Sequence, residues 1–265
     1  CVGAPAVLSD GRASLFLHCP KAHPVQINRL SMVSCSRDSR FLQDEALSAE
    51  LASFCSACED SLYEAHAAVW KQLWQDSCIT IRGDDHIQRS LNVCLYHLLR
   101  AENRSDSRIA VCAKGFAGEA YFGHFFWDTE LYLLPFYLYT NPQHARPLTQ
   151  FRIRTLGGAQ KNAAAYGYPG AKYPWESSVS GEEQCPNWQY ADHEIHITAD
   201  VVFGLWHDWK ATGDREYLAQ MLPVMAETTR YWLARTYRQS DGSVHLNGVM
   251  GPDEYICMCN DNAYT

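Results

Sequence analysis

The sequence has no run of about 18 apolar residues, so no segment reads as a helix that crosses a bilayer. It has no clustered Lys/Arg stretch either. With a net charge of −8 it suits neither nucleic acid nor an anionic membrane. The opening CVGAPAVLSDGRASLF lacks the charged start and long apolar core of a secretory signal peptide. Missing too are a Walker-type phosphate loop and a GxSxG elbow, which removes nucleotide hydrolysis and α/β-hydrolase chemistry. No repeat at a fixed solenoid period is visible.

Cysteine is not scarce, but its arrangement excludes a disulfide framework. Eleven cysteines at irregular spacings, in 265 residues, fit free and mostly buried thiols in a reducing cytosol, so a cytoplasmic location is expected. Cys55 and Cys58 form a CxxC, and Cys257 and Cys259 a CxC; both spacings are common by chance, and no metal site is expected. The chain neither starts with Met nor ends on a recognisable tail, and reads as a piece cut at both ends. Aromatics are plentiful, with eight Trp and fifteen Tyr. Aromatic rings suit the apolar faces of sugars, although core packing explains any single one as readily.

Periodicity predicts a mainly α fold. Residues 1–45 carry short β-like runs (Ala13–Leu17, Val25–Ile27, Ser31–Ser34) broken by Gly, Pro and Asp, as at the end of a β-rich region. From Leu47 to Leu73 apolar residues step by three and four, predicting one long helix, and Ile79–Ile81 reads as a short extended piece. Asp84 and Asp85 supply an N-cap for a helix whose apolar face runs from Ile87 through Leu91 and Leu95 to Leu99. Further helices are predicted at about 127–139, from Pro142 toward Tyr166 through the weak point Gly157-Gly158, at 196–211 before Gly213, and from Asp214 to about Arg238. Helix pairs without a parallel-strand rhythm point to an all-α layered or toroidal domain.

The loops between these helices combine acids with aromatics: Asp128 and Glu130 in GHFFWDTE, Glu176 in YPWESS, Glu182 and Glu183 in SGEE, Glu194 in DHEIH, and Asp253 and Glu254 in GPDEY. A carboxylate accepts hydrogen bonds from vicinal sugar hydroxyls while a neighbouring Trp covers the ring, which is the makeup of Trp127-Asp128 and Trp175-Glu176. An acid at a helix start serves equally as a cap or dipole partner. In GPDEY, Gly251-Pro252 forces a turn that fixes Glu254 at a corner. Cover from Tyr255, Val249 and Met250 would raise its pKa from ~4.3 toward ~6, as a proton donor requires. The same turn could simply face water. His193 and His196 are spaced like ligands but lack HExxH, and read as hydrogen-bonding histidines.

In sequence order, FWDTE, RIRTLGGAQKNAAAYGYPGAKYPWES, SGEE, EIHITADV, GPDEY and NDNAYT closely resemble family 65 of the glycoside hydrolases, over roughly residues 60 to 265. The resemblance implies a partial (α/α) six-hairpin barrel, preceded by a helical linker and the end of a β-sandwich domain. Its boundaries would be 1–45 for the sandwich end, 46–83 for the linker and 84–265 for the first half of the barrel. It also implies an inverting phosphorylase of an α-glucoside of maltose, kojibiose or trehalose type. Glu254 would be the general acid; Trp127, Asp128, Trp175 and Glu176 would hold the glucose, with Tyr255 beside them. Inorganic phosphate would be co-substrate and no cofactor is expected; a homodimer is compatible with the pattern. The family also contains hydrolases, and a non-catalytic sugar-binding module is the third reading. The family's phosphate-contacting loops lie downstream of this piece, which alone is expected to be inactive. Many members carry His after the Tyr of GPDEY; here Ile256 stands there, implying a more apolar acceptor side and leaving other α-glucosides open.

Overall fold

A computed structural model describes residues 6–9, 12–15, 44–56, 59–101, 104–115, 120–256 and 258–265. The chain divides into two compact units, Cys1–Val69 and Trp70–Thr265. In the first, strand β1 (Ala6–Ser9) pairs antiparallel with β2 (Arg12–Leu15), Ala6 opposite Leu15. The predicted runs at Val25–Ile27 and Ser31–Ser34 lie outside the described residues, as do Cys58 and Cys257 of the cysteine pairs.

The long helix predicted over 47–73 is two helices, α1 (Asp44–Ser56) and α2 (Glu59–Ser77). Glu59 and Asp60 open the second, where negative charge favours a helix start. The extended piece Ile79–Ile81 is no strand. Gln88 takes its backbone instead, accepting from the Ile81 N–H at 2.6 Å and donating to the Ile79 carbonyl at 3.0 Å. Helix α3 (Asp85–Ala101) starts as expected, with Asp84 accepting from the N–H groups of His86 and Ile87. Leu95 and Leu99 are buried, while Ile87 is exposed.

A π-helical turn, Thr129–Leu133, leads into α4 (Leu134–Thr140), then α5 (Pro142–Arg154) and α6 (Leu156–Ala165). The break between the last two falls at Thr155 rather than at Gly157-Gly158. The Thr155 hydroxyl donates back to the Phe151 and Arg152 carbonyls, and its backbone leaves the helical region at ψ 8°. Gly158 has another use: a Cβ there would lie 2.2 Å from the Ser180 carbonyl oxygen, so only glycine lets the 177–183 loop approach.

Helix α7 (Trp188–His193) is followed by α8 (Ile197–Thr212), which stops at Gly213 in the left-handed conformation, φ 65°. Helix α9 (Arg215–Arg235) is capped by Asp214, which accepts from the Tyr217 N–H at 2.9 Å. It ends short of the predicted Arg238 because Tyr237–Arg238 (β3) pairs with Val244–His245 (β4) in a hairpin.

Helix α5 packs on α4 and α8, and α8 on α9. One core gathers Phe125, Leu134, Tyr137, Leu148 and Phe151; the other gathers Tyr173, Ile197, Val201, Tyr217 and Met221. Mainly helical architecture, with consecutive helices packed in pairs, agrees with the sequence reading. The thiols do not: among the described cysteines Cys112 is buried, whereas Cys78 and Cys94 are exposed.

Candidate active site

Two distant segments meet first. Phe125 and Ser177 exchange backbone hydrogen bonds of 3.0 and 2.8 Å, stitching the FFWD stretch to the WES stretch. Trp127-Asp128 and Trp175-Glu176 are thereby brought to one place, with Phe126 packed edge-on against Trp175 at 5.3 Å. Asp128 is half-buried, already helical in backbone, and caps nothing. Burial pushes its carboxyl above the ordinary aspartate range.

Glu130, two residues on, has a different fate. It is buried in a bidentate pair with Arg152, at 2.7 Å to Nε and 2.8 Å to Nη2, and Arg152 also donates to the Phe126 carbonyl. This acid holds the turn beneath Trp127 in place. Glu182 pairs at the surface with Lys161 at 2.6 Å. Glu183 is a backbone anchor: its carboxylate accepts from the N–H groups of Trp175 at 2.7 Å, Glu176 at 3.0 Å, Cys185 at 3.1 Å and Gln184 at 3.2 Å.

The Trp175 indole stacks on Tyr190 at 5.2 Å and donates through Nε1 to Glu194 Oε2 at 2.8 Å. Glu176 is buried, with its Oε1 2.7 Å from His124 Nδ1. Behind the two tryptophans lies a chain of buried polar groups. His196 Nδ1 is 2.6 Å from Asp200, its Nε2 is 3.7 Å from Glu194, and its ring meets Trp127 and Tyr264 edge-on at 5.0 and 5.1 Å. His193 serves another partner, its Nδ1 lying 2.8 Å from the Gly248 carbonyl.

The GPDEY loop is closed at its base, where Val249 and Cys259 exchange backbone hydrogen bonds of 2.9 Å. Gly251 abuts Asn262, and the Met250 N–H donates to the His193 carbonyl at 2.9 Å. This fixes the corner against the residue that precedes Glu194. Tyr255 does not cover the acid as expected: it is 96% exposed, because the turn closed by Asp253 leaves its ring in solvent. Val249 and Met250 are buried. Glu254 and Tyr255 line a groove of about 320 Å³ with Trp188, Gln189, Met250, Ile256 and Met258. The Glu254 carboxyl is pushed up, first by burial and then by the negative charges of Glu194 and Asp128.

Asp128, Glu194 and Glu254 therefore lie within electrostatic reach of one another, and the Trp175 indole is bound to the middle one. Sequence reasoning counted Glu194 among several loop acids, read His196 as a hydrogen-bonding histidine, as its bond to Asp200 shows it to be, and gave no role to Tyr264. The DHEIH spacing was the signal for the first two; nothing in NDNAYT marks Tyr264.

Residues 92–265 match the profile of the glycosyl hydrolase family 65 central catalytic domain. The chain belongs to glycosyl hydrolase family 65. All the site residues fall within that family-65 segment. Over 221 residues the chain is 42% identical to the kojibiose phosphorylase of Halothermothrix orenii, covering 78% of this chain and 28% of that protein. Over 206 residues it is 36% identical to the kojibiose hydrolase of Flavobacterium johnsoniae, covering 77% of this chain and 30% of that protein. A solved chain from the human microbiome, which carries a provisional kojibiose phosphorylase name, superposes with a TM-score of 0.77 at 32% identity, over 82% of this chain and 29% of that one. The family-65 chain thus spans about a third or less of the length of these relatives.

Proposed function

We propose that the protein carrying this chain phosphorolyses an α-linked glucoside with inversion, releasing β-glucose 1-phosphate, with Glu254 as general acid. The reading rests chiefly on Glu254, an exposed carboxyl at a fixed corner beside a groove, pushed above the ordinary glutamate range by desolvation and by two neighbouring carboxylates. Inorganic phosphate attacks the anomeric carbon from one face. The bond to the bridging oxygen breaks, and Glu254 gives its proton to that oxygen as it leaves on the other face. General acids contribute about 10²–10⁴ in rate. Trp127 and Trp175 would cover the glucose ring, Asp128 and Glu176 would accept from its hydroxyls, and Tyr255 would border the acceptor. No organic cofactor enters this scheme.

Kinship with phosphorylases supports phosphate as nucleophile and kojibiose as a first disaccharide to try. In this reading residues 84–265 are the first half of an α/α barrel, 46–83 a helical linker and 1–45 the end of a β-sandwich, in a cytoplasmic enzyme that could work as a homodimer. The Flavobacterium relative favours a second reading, in which water replaces phosphate. An ordinary inverting hydrolase needs a base to activate that water, with carboxyls ~6.5–9.5 Å apart.

The test uses the full-length protein with kojibiose, nigerose, maltose and trehalose, with and without phosphate. Phosphate-dependent release of β-glucose 1-phosphate is expected; free glucose at equal rate in both conditions would transfer the assignment to hydrolysis. Glu254→Gln should cut turnover by orders of magnitude while leaving glucose binding intact. Equal turnover in the two proteins would remove Glu254 from the mechanism.

A further inference from the structure

We infer that Glu194 couples the sugar pocket to the proton donor: one buried carboxylate fixes the Trp175 indole by a hydrogen bond and acts through its charge on Glu254 across the junction of His193 with Met250. The inference rests on Glu254 being the general acid.

The geometry has three parts. Glu194 is buried, and its Oε2 accepts from the Trp175 indole at 2.8 Å. Its Oε1 is enclosed and has no hydrogen-bond partner among the described residues. A buried anionic oxygen left without a donor is costly and is retained where the charge itself is used. The third part is the placing of Glu254. The Met250 N–H donates to the carbonyl of His193, the residue before Glu194, and His193 Nδ1 holds Gly248, so the strand leading to Glu254 is bonded on both sides of that point.

Two carboxylates act on Glu254 from neighbouring segments, Asp128 from the turn before α4 and Glu194 from the turn before α8, where His196 stands beside it; Asp253 and Tyr255, on the loop of Glu254 itself, are exposed. Among the described residues His196 is the cationic neighbour of Glu194. Burial opposes its charge, but the hydrogen bond to Asp200 and the nearby carboxylate of Glu194 outweigh burial and favour the imidazolium. Its close partner is Asp200 at 2.6 Å, however, and Glu194 stands off at 3.7 Å. Asp200 is therefore the nearer counter-charge to the imidazole, and the charge of Glu194 also reaches Glu254. Glu194 is thus a positioning residue: it acts on the reaction through Trp175 and Glu254.

The two roles separate by substitution in the full-length protein. Glu194→Gln keeps an oxygen for the Trp175 indole but loses the charge. The alkaline limb of kcat/KM should move to lower pH, with the KM for disaccharide unchanged. Glu194→Asp keeps the charge but draws back from the indole; the limb should stay in place while KM rises. An unmoved limb in Glu194→Gln, or an equal shift in both variants, would overturn the inference. Should Glu194→Gln fail to fold, wild-type protein labelled with fluorotryptophan reports instead. The Trp175 resonance, assigned by Trp175→Phe, should titrate with the alkaline limb, and a signal flat through that limb would equally refute the coupling. Glu254→Gln assayed alongside keeps the cases apart. If it retains full rate, the acid assignment itself has failed; if it is inactive while Glu194→Gln leaves the limb unmoved, only the coupling has.

Discussion

Replacing Glu183 by Gln tests whether the sugar pocket is set by an acid that never touches sugar. Its Oε1 accepts from the N–H groups of Glu176, Gln184 and Cys185, and its Oε2 accepts the shortest bond, from Trp175 at 2.7 Å. A glutamine can keep its oxygen toward the first group only by turning its NH₂ toward Trp175, donor against donor. One hydrogen bond to a charged group is then lost, worth about 1.5–3 kcal/mol. Glu183 is only partly buried, so water can replace some of that bond and the lower figure applies. About 1.5 kcal/mol corresponds to roughly a tenfold fall in the population of the ordered Trp175-Glu176 backbone. The assay is initial-rate kinetics of the full-length protein on its disaccharide, with the melting temperature recorded in parallel. We expect kcat/KM to fall about tenfold, in line with that population change. A variant that melts normally and keeps wild-type kcat/KM would refute the clamp.

The same loop can be displaced from behind: Gly158→Ala sets a Cβ 2.2 Å from the Ser180 carbonyl and 2.6 Å from the Gly181 backbone. Overpacking of this kind costs about 1–3 kcal/mol, so both activity and melting temperature should drop; a variant indistinguishable from wild type in both would show that the loop yields freely. Asp208 is buried against the Thr149 hydroxyl at 2.7 Å, with its Oδ1 without a hydrogen bond and 3.8 Å from the Arg146 guanidinium, and burial pushes its carboxyl up despite that charge. A folded-state pKa above the unfolded one means that the native form binds the proton more tightly, so stability is lost as pH rises through the folded value. Asp208→Asn should therefore match wild type in acid and melt higher than it at neutral pH; a difference that shrinks as pH rises would reverse the argument.

What could be read from sequence was local. Asp84 and Asp214 announced helix starts, Gly213 a stop and Pro142 a first turn, because each acts on backbone within a few residues of itself. The pairing of Trp with acid in WD and WE likewise stands out locally, and the Phe125–Ser177 bridge brings the two segments together. The failures are non-local. Glu130 looked like its neighbour Asp128, but it meets Arg152 across 22 positions, and only packing reveals which of the two is neutralised. Glycine at 157–158 suggested a weak helix, when the constraint came from a loop arriving more than twenty residues later. Tyr255 was placed over Glu254 by adjacency, whereas a turn closed on Asp253 separates their surroundings.

Sorting the loop acids by partner separates scaffold from chemistry. Glu130 has a guanidinium, Glu182 an ammonium and Glu183 a cluster of backbone N–H groups, so each carboxylate is taken up by a scaffold partner. Asp128, Glu194 and Glu254 have no Lys or Arg partner among the described residues, and they lie near one another. Like charges brought together without a counter-ion favour protonation of the member that can most easily accept it. Glu194 is engaged by the indole N–H at 2.8 Å and stands 3.7 Å from His196. Asp128 is pushed up by burial as well, although a hydrogen bond from its own backbone opposes that rise. Glu254 has neither aid, and it borders the groove through which an acceptor sugar would come and go. Burial and both neighbouring carboxylates thus push up the carboxyl from which a proton can be delivered. Placing a lysine within this trio should remove that preference, even if every sugar contact were kept.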